Sequence, residues 1–294
     1  MSTRAEEGMR AGFSLKLTMF EDMVVPCGII PILSSFRTRE VRDDDIFLCT
    51  YPKSGTHWTW EILNMIVKGE AKYTEHWLGS SYIDQRNEDV IDAIASPRIL
   101  TTHMIPRILP RAIWERKCRI INVQRNPKDV AVSYFFQSTN QNWMNESAGP
   151  SFTGSWDNFL DAFIKGNIPN DSAFDHTLSW NKVPGDYPDV PFLQLHYEDL
   201  KKNAVKVVKQ LAEFILHPLP DKVYEEIAEA CGFTKLKHAH TCLKTPMFST
   251  PWKEGSPGHF RKGETGDWKH WFTVAQSERF DRIYQQKFHR TFPY

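Results

Sequence analysis

Residues 46–68 constrain the possible folds of this chain more strongly than any other segment. The apolar run that starts at Ile46, with its β-branched and aromatic residues, predicts a buried strand. Pro52 and Gly55 interrupt it, and apolar side chains then recur at helical spacing from Trp58 to Lys68. The predicted order is therefore strand, tight loop and helix, which aims backbone N–H groups and a helix N-terminus at an anion.

The loop also carries Lys53, Ser54 and Thr56, which add a cation and two hydroxyl groups. This is phosphate-binding chemistry, but it differs from the G-x-x-x-x-G-K-[ST] loop, in which Lys follows the second Gly and a Mg²⁺-binding hydroxyl comes next. Here Lys53 precedes the only Gly of the loop, so metal-assisted nucleotide hydrolysis is not supported. The loop pattern alone fits an ordinary strand–helix turn as well as an anion site.

Three further segments predict the same alternation of strand and helix. Residues 98–102, 118–124 and 192–197 have the composition of short strands. Asn126 is a good N-cap and Pro127 a good first helical residue, so a helix is expected after the second of these strands. Repeated strand–loop–helix units predict an α/β fold with a central parallel sheet flanked by helices.

Several polar candidates fall where the predicted strands end, and ligands of parallel sheets bind beyond those ends. The residues in such positions are Lys53, His103, Arg125 and Tyr197. A lone histidine is more often structural than catalytic, but its position makes His103 a candidate acid–base residue. Trp58 and Phe233 are typical of a core, or of aromatic faces that stack on a purine.

Two further groups could contact anions. Arg125, at a strand end, and Ser133, two turns along the next helix, could clamp a second phosphate. Arg261, Lys262 and Gly263 combine two cations with a residue that permits close backbone approach. Taken alone, each group is more typical of a solvated surface than of an anion site.

The composition limits the classes of partner. The chain has 294 residues, a length within the range of one α/β domain, and 41% of them are hydrophobic, which suffices for a sizeable core. The formal net charge is zero, so nothing predicts bulk attraction to nucleic acid or to an anionic membrane. We expect one domain over residues 1–294, with a flexible polar segment at residues 1–12.

The N-terminal segment and the cysteines predict a cytoplasmic protein. Residues 1–10 are polar and charged, and no signal peptide or transmembrane stretch follows them. The five cysteines are scattered, form no C-x-x-C pair and lack metal-ligand spacing. We therefore expect a reduced protein with free thiols and without a bound metal.

Three blocks of sequence together resemble the cytosolic sulfotransferase family. They are TYPKSGT at residues 50–56, RNPKDVAVSY at residues 125–134 and RKGETGDW at residues 261–268. The resemblance extends from about Val25 to Phe292. It implies a single α/β domain related to the P-loop nucleotide kinases, and a sulfuryl donor that is 3′-phosphoadenosine 5′-phosphosulfate (PAPS).

The resemblance also implies roles for individual residues. The 5′-phosphosulfate of PAPS would lie against the loop and the start of its helix: Lys53, Ser54, Gly55, Thr56 and His57. The 3′-phosphate would be held by the second and third blocks: Arg125, Ser133, Arg261, Lys262 and Gly263. The adenine would be contacted by three aromatic residues: Trp58, Tyr197 and Phe233. The expected catalytic residues are His103 as general base, Lys53 and Ser133, and no metal is expected.

The implied chemistry agrees with these residue types. Sulfuryl transfer moves a group in line between two oxygens, and the leaving group is an anion whose developing charge Lys53 can neutralise. His103 can take the proton of the acceptor as its oxygen attacks, because an imidazole with a pKa near 6.5 suits neutral pH.

The chain departs from the family pattern near the acceptor. His57 stands where the family usually has Thr or Asn, and Thr101 where many relatives have Lys; Met104-Ile105 replaces Leu-Pro. The acceptor is therefore not transferable from a relative. A short stretch predicts an aromatic pocket for a small phenolic or apolar acceptor, although its members also fit a core: Phe135, Phe136, Gln137 and Trp143.

The segment from Lys269 to Glu278 matches a short dimerisation motif of the family, so we expect a homodimer. An ordinary exposed helix start would have the same sequence pattern.

Two other functions stay open. A nucleotide or small-molecule kinase is disfavoured by the order of the phosphate loop. A non-catalytic nucleotide-binding relative is disfavoured because Lys53, His103 and Ser133 are all present.

Overall fold

The computed structural model describes residues 2–75, 78–141, 151–242, 252–256 and 258–289, without the side chains of residues 240–242. The contacts between its residues divide the chain into two compact units. Unit 1 comprises Met1–Ile30, Arg125–Lys182 and Pro251–Tyr294, and unit 2 comprises Pro31–Gln124 and Val183–Thr250. The single-domain organisation expected for residues 1–294 stays a prediction.

The strands, in chain order, are β1 (Leu17–Phe20), β2 (Met23–Pro26), β3 (Ile46–Thr50), β4 (Ile99–Thr102), β5 (Arg119–Gln124) and β6 (Phe192–His196). The helices are α1 (Arg4–Ala11), α2 (Ile30–Phe36), α3 (Thr56–Lys68), α4 (Glu88–Asp92), α5 (Arg111–Glu115), α6 (Pro127–Asn140), α7 (Trp156–Lys165), α8 (Ala173–Asp186), α9 (Tyr197–Lys202), α10 (Ala204–Phe214), α11 (Asp221–Ala230), α12 (Phe233–Cys242) and α13 (Val274–Phe288). A short 3₁₀ helix, Asp267–His270, precedes α13.

Unit 2 is built on a parallel sheet with the strand order β4-β3-β5-β6. The register pairs Cys49 with Thr102 and Thr50 with Val123, so the carboxyl ends of the strands form one edge. Buried apolar residues of β3, α3, α10 and α11 share one core, among them Leu48, Ile62 and Leu211. The prediction of an α/β fold with a central parallel sheet is confirmed, and the predicted strands differ from β4, β5 and β6 by one terminal residue each.

Unit 1 contains the β1–β2 hairpin and an aromatic core. Phe159 lies on the buried face of α7 and is in ring contact with Phe135 of α6, at a centroid distance of 5.3 Å, and with Phe152, also at 5.3 Å. Phe135 further contacts Trp156 and Trp271. Phe135 therefore belongs to this core, which was the alternative to its interpretation as an acceptor-pocket residue.

The flexibility expected for residues 1–12 stays a prediction, and within that segment Arg4–Ala11 form α1. Thr3 and Glu6 form a reciprocal capping box at its start, which satisfies two backbone donors that would otherwise lack partners. Arg4 forms an ion pair with Asp171, and Asn167 donates a hydrogen bond to Glu7 at 2.7 Å. These contacts join residues far apart in sequence, so the local composition did not reveal them.

The described residues contain neither a candidate membrane-spanning helix nor a candidate group of metal ligands. None of the helices in this part of the chain has both the length and the apolar character needed to cross a bilayer. Within the same ranges, no three His, Cys, Asp or Glu side chains are grouped so that they could hold a metal ion.

Candidate functional site

The predicted phosphate loop of unit 2 joins β3 to α3 through two residues with positive φ. Lys53 has φ +69° and Gly55 has φ +106°. A Cβ atom at position 55 would lie 2.9 Å from Cδ2 of Tyr197, closer than real Cβ contacts. Glycine is thus required both by the backbone angle and by the approach of the Tyr197 ring. The loop therefore brings Tyr197 against the start of α3.

The first turn of α3 is tied to the end of β3 by hydroxyl groups. Thr56 Oγ1 lies 2.6 Å from Thr50 Oγ1, and the Tyr82 hydroxyl also bonds to the Thr56 side chain. Ser54 is buried within the loop, and its N–H donates to the Tyr51 carbonyl at 3.1 Å. The loop is consequently fixed by internal bonds, while the first N–H groups of α3 have no partner within the helix ladder.

His103 follows β4 and lies beside the loop, because the register of β3 and β4 places it opposite Thr50. It is 7% exposed, and its Nδ1 lies 2.8 Å from the Thr50 carbonyl oxygen. A carbonyl only accepts hydrogen bonds, so Nδ1 carries the proton and Nε2 bears the free lone pair. The Tyr82 ring packs against the imidazole at a centroid distance of 5.0 Å. The local geometry therefore presents a neutral imidazole whose Nε2 can accept a proton.

The electrostatic surroundings favour the neutral form of His103. Burial lowers the pKa of His103 to about 4; the bond to Thr50 opposes this effect, and the positive charge of Lys53 adds a smaller lowering. The influence of Lys53 shows that loop and histidine are electrostatically coupled within unit 2. This pKa is lower than the value near 6.5 expected from the sequence, because the ring is buried. At neutral pH the imidazole is therefore already deprotonated, but it is a weaker base than an exposed histidine.

A buried carboxylate, Asp84, lies behind the histidine. Burial raises the pKa of Asp84 to about 6, and the nearby Thr102 side chain and His103 backbone oppose the rise. The Thr102 hydroxyl also accepts a bond from the Met104 N–H at 3.0 Å. This bond joins the residues on either side of His103.

The aromatic candidates of unit 2 are partly assembled. Trp58 and Tyr197 are in edge-to-face contact, with ring centroids 5.4 Å apart and an interplanar angle of 71°. The ammonium group of Lys201 lies 6.0 Å from the Trp58 ring centroid. Phe233 is half-buried at the first turn of α12, and His57 is half-buried at the second residue of α3.

The basic candidates of unit 1 converge on one loop. Arg125 donates a hydrogen bond to the Glu264 carbonyl at 3.0 Å. Arg261 NH1 and Lys262 Nζ each lie 2.6 Å from a carboxylate oxygen of Asp267. The structure therefore brings Arg125 to the loop that carries Arg261, Lys262 and Gly263.

One face of α6 lies along this loop. The Asp129 carboxylate accepts the N–H groups of Gly266 at 2.7 Å and Trp268 at 3.1 Å. Ser133 is one turn after Asp129 and Phe136 is nearly one turn further, so helical geometry puts the three on the same face. The Arg261 guanidinium lies 5.7 Å from the Phe136 ring centroid. The half-buried Ser133 is thus on the α6 face that borders the basic loop.

Sequence reasoning missed several residues of these two assemblies. Tyr82, Thr50 and Asp84 act through contacts set by the strand register, which leaves no local signal. Asp267 was overlooked although an acid after two cations and two glycines is a visible pattern. Trp143, predicted to line an acceptor pocket, lies outside the described residues.

Comparisons with known proteins agree on one family. The family model described as the sulfotransferase domain matches residues 43–292. Sulfotransferase 1B1 of Canis lupus familiaris is 35% identical over 262 residues, which cover 84% of this chain and 84% of that protein. The crystal structure of mouse sulfotransferase SULT7A1 complexed with PAP is 31% identical, with a TM-score of 0.76 and coverage of 93% of this chain and 94% of that one.

A more distant structure has the same fold. Retinol dehydratase, in complex with androsterone and inactive cofactor PAP, covers 100% of this chain and 97% of its own, with a TM-score of 0.80. Its sequence identity is 16%, so the similarity concerns the fold alone.

Proposed function

Because this chain belongs to the sulfotransferase family, we propose that it transfers the sulfuryl group of PAPS to a hydroxyl or amine of a small acceptor, with His103 as general base. The observation that carries the proposal is the bond between His103 Nδ1 and the Thr50 carbonyl, since it leaves Nε2 as the proton acceptor. The mouse relative complexed with PAP supports the class of donor.

The residues of unit 2 suit the phosphosulfate end of PAPS. The cation of Lys53, the hydroxyls of Ser54 and Thr56 and the N-terminus of α3, with Gly55 and His57, offer a positive field and several donors to an anion. PAPS supplies the sulfuryl group and an anionic leaving group. Lys53 stabilises the charge that develops on the leaving oxygen, in a site where burial strengthens the interaction.

The residues of unit 1 suit the 3′-phosphate. Arg261 and Lys262 provide more donors than their contacts with Asp267 use, because a guanidinium has five and an ammonium three. Arg125, which donates to the Glu264 carbonyl of the same loop, adds a third cation. Ser133 adds a hydroxyl on the bordering face of α6, and Gly263, with φ +66°, permits close approach of the backbone.

The aromatic residues of unit 2 suit the adenine. Trp58 and Tyr197 pack against each other at the start of α3, where Gly55 makes room for the Tyr197 ring. Aromatic faces stack on purines without needing specific hydrogen bonds. Phe233 is assigned to the same role on the basis of family resemblance.

His103 is proposed to take the proton from the acceptor oxygen or nitrogen. Its pKa of about 4 keeps it neutral at physiological pH, and the Thr50 carbonyl holds the imidazole in the tautomer that acts through Nε2. The Tyr82 ring beside the imidazole supports a planar, phenolic or apolar acceptor, since aromatic groups pack well against each other.

A cytoplasmic homodimer is part of the same proposal. The four cysteines whose side chains are described are free thiols, which suits a reducing compartment: Cys27, Cys49, Cys118 and Cys231.

The proposed dimer contact lies in the segment from Lys269 to Glu278. Val274, in the middle of this segment, is 76% exposed at the first residue of α13. An exposed apolar side chain at that position supports a contact with a second copy of the chain.

The test is turnover of PAPS with a panel of phenols, catecholamines, steroids and alkyl alcohols, in the presence and absence of EDTA. We expect PAP and a sulfated acceptor to form at equal rates with and without EDTA. Turnover of ATP in place of PAPS would support a kinase instead, and binding of PAP without turnover of any acceptor would support a non-catalytic nucleotide-binding protein.

A further inference from the structure

Asp267 is a buried carboxylate shared by two cations of the basic loop in unit 1. Its side chain is 3% exposed, whereas those of Arg261 and Lys262 are 15% and 44% exposed. Both cations lie 2.6 Å from its oxygens. Burial alone would raise the pKa of Asp267, but the bonds from Lys262 and Arg261 outweigh it and lower the pKa, so the carboxylate is ionised at neutral pH.

The backbone on both sides of Asp267 is held by α6. Asp129 accepts the N–H groups of Gly266 and Trp268, the residues immediately before and after Asp267. Lys128, the neighbour of Asp129, lies 4.2 Å from the Trp268 ring centroid and forms an ion pair with Asp281 of α13 at 2.7 Å. The Asp267 carboxylate is therefore held in place, and it in turn holds the charged ends of Arg261 and Lys262.

Holding both cations in this way has a consequence for ligand binding. Arg and Lys side chains are long and lose much rotamer freedom when a ligand immobilises them. A buried carboxylate that already orients them reduces this loss at the moment of binding. It does not use up their donors, because a guanidinium has five N–H groups and an ammonium has three.

We propose that Asp267 is a positioning residue that orients Arg261 and Lys262 and thereby sets the preference of the protein for nucleotides with a 3′-phosphate. The inference rests on the proposed function, in which these two cations hold the 3′-phosphate. The opposite effect is physically conceivable, because a carboxylate near a phosphate repels it and competes for the same cations. Neutralising Asp267 decides between the two: positioning predicts that the ratio of PAP to AMP affinity falls, and repulsion predicts that it rises.

The test compares the affinities for PAP and for AMP, which lacks the 3′-phosphate, in the wild type and in Asp267→Asn. Asn has the shape of Asp without its charge, so the cations lose their ionic anchor. We expect the ratio of PAP to AMP affinity to fall by roughly tenfold, as for the loss of a charge-assisted contact, with AMP affinity unchanged. A merely structural role would weaken both nucleotides alike. An unchanged or increased ratio would overturn the proposal.

Three further variants make the result specific. Asp171→Asn is the matched control, because Asp171 pairs with Arg4 in the same unit; it should leave the ratio unchanged, and a similar loss there would overturn the assignment. In the double variant Arg261→Ala/Lys262→Ala, adding Asp267→Asn should cause no further loss, and an additional loss would contradict positioning through these cations.

Asp267→Glu covers the case in which the Asn variant does not fold, as judged by circular dichroism. Glu keeps the charge, but its extra methylene displaces the carboxylate. We therefore expect a ratio of PAP to AMP affinity between those of the wild type and Asp267→Asn; a wild-type ratio would overturn the proposal. If the wild type itself does not distinguish PAP from AMP, the proposed 3′-phosphate site fails, which is a different outcome from the failure of Asp267 alone.

Discussion

His103→Ala tests the assignment of the base, and the structure sets the size of the effect. With a pKa of about 4 for His103, only about one molecule in a thousand carries a protonated imidazole at pH 7. Nearly every molecule therefore carries the neutral imidazole that can accept a proton, and the variant should lose the contribution of this base. That contribution is roughly 10²–10⁴ in kcat, equivalent to about 3–5 kcal/mol of the activation barrier.

The assay measures initial rates of sulfuryl transfer at saturating PAPS and acceptor, together with PAP affinity by calorimetry. We expect kcat to fall in that range while PAP affinity is retained, because His103 contacts Thr50 and Tyr82 rather than the cations assigned to the phosphates. In the wild type, kcat/KM should stay level between pH 8 and about pH 5 and decline toward pH 4. A variant that retains more than a tenth of wild-type kcat, or a wild-type rate that declines near pH 6.5, would refute the reasoning.

Three other variants test separate parts of the account. Lys53→Ala should lower kcat and also raise the His103 pKa, because the Lys53 charge lowers it; the acid limb of the pH–rate profile should move to higher pH, and an unmoved limb would contradict the coupling. Glu61 accepts the Thr74 N–H at 2.6 Å, and burial raises its pKa from 4.5 to about 7, so ionisation should reduce the free energy of unfolding as pH rises from about 4.5 through 7, by up to about 3 kcal/mol. Glu61→Gln should flatten this dependence in urea titrations at several pH values, and parallel curves would show that Glu61 does not cause it. Val274→Glu should give a monomer by light scattering that still turns over substrate, since like charges would face each other at the proposed two-fold contact; a persistent dimer would place the interface elsewhere.

Local sequence signals predicted the elements that carry the site. Asn126 accepts the N–H of Lys128 and Pro127 begins α6, as the capping pattern indicated. The alternation of apolar runs and helical spacing predicted the parallel sheet, and hence that Lys53, His103 and Tyr197 would follow its strands. These features depend on neighbours within a few residues, so a single sequence contains them.

Contacts between distant segments could not be predicted in the same way. The tautomer of His103 depends on the Thr50 carbonyl, which the pairing of β3 with β4 brings beside it. Asp129 and Gly266 are 137 residues apart, yet their bond fixes the loop that carries the basic cluster. Such pairs are chosen by the packing of the whole unit, and their residue types are equally common on solvated surfaces.

The most direct test of the central claim follows the sulfuryl group itself. The wild-type protein is incubated with PAPS that carries radioactive sulfur, a phenolic acceptor that turns over, and EDTA, and the products are separated. The account predicts one labelled sulfuryl group on the acceptor oxygen for each PAP formed, with this transfer strongly reduced in His103→Ala. Label recovered as free sulfate, or transfer at the wild-type rate in the variant, would contradict it.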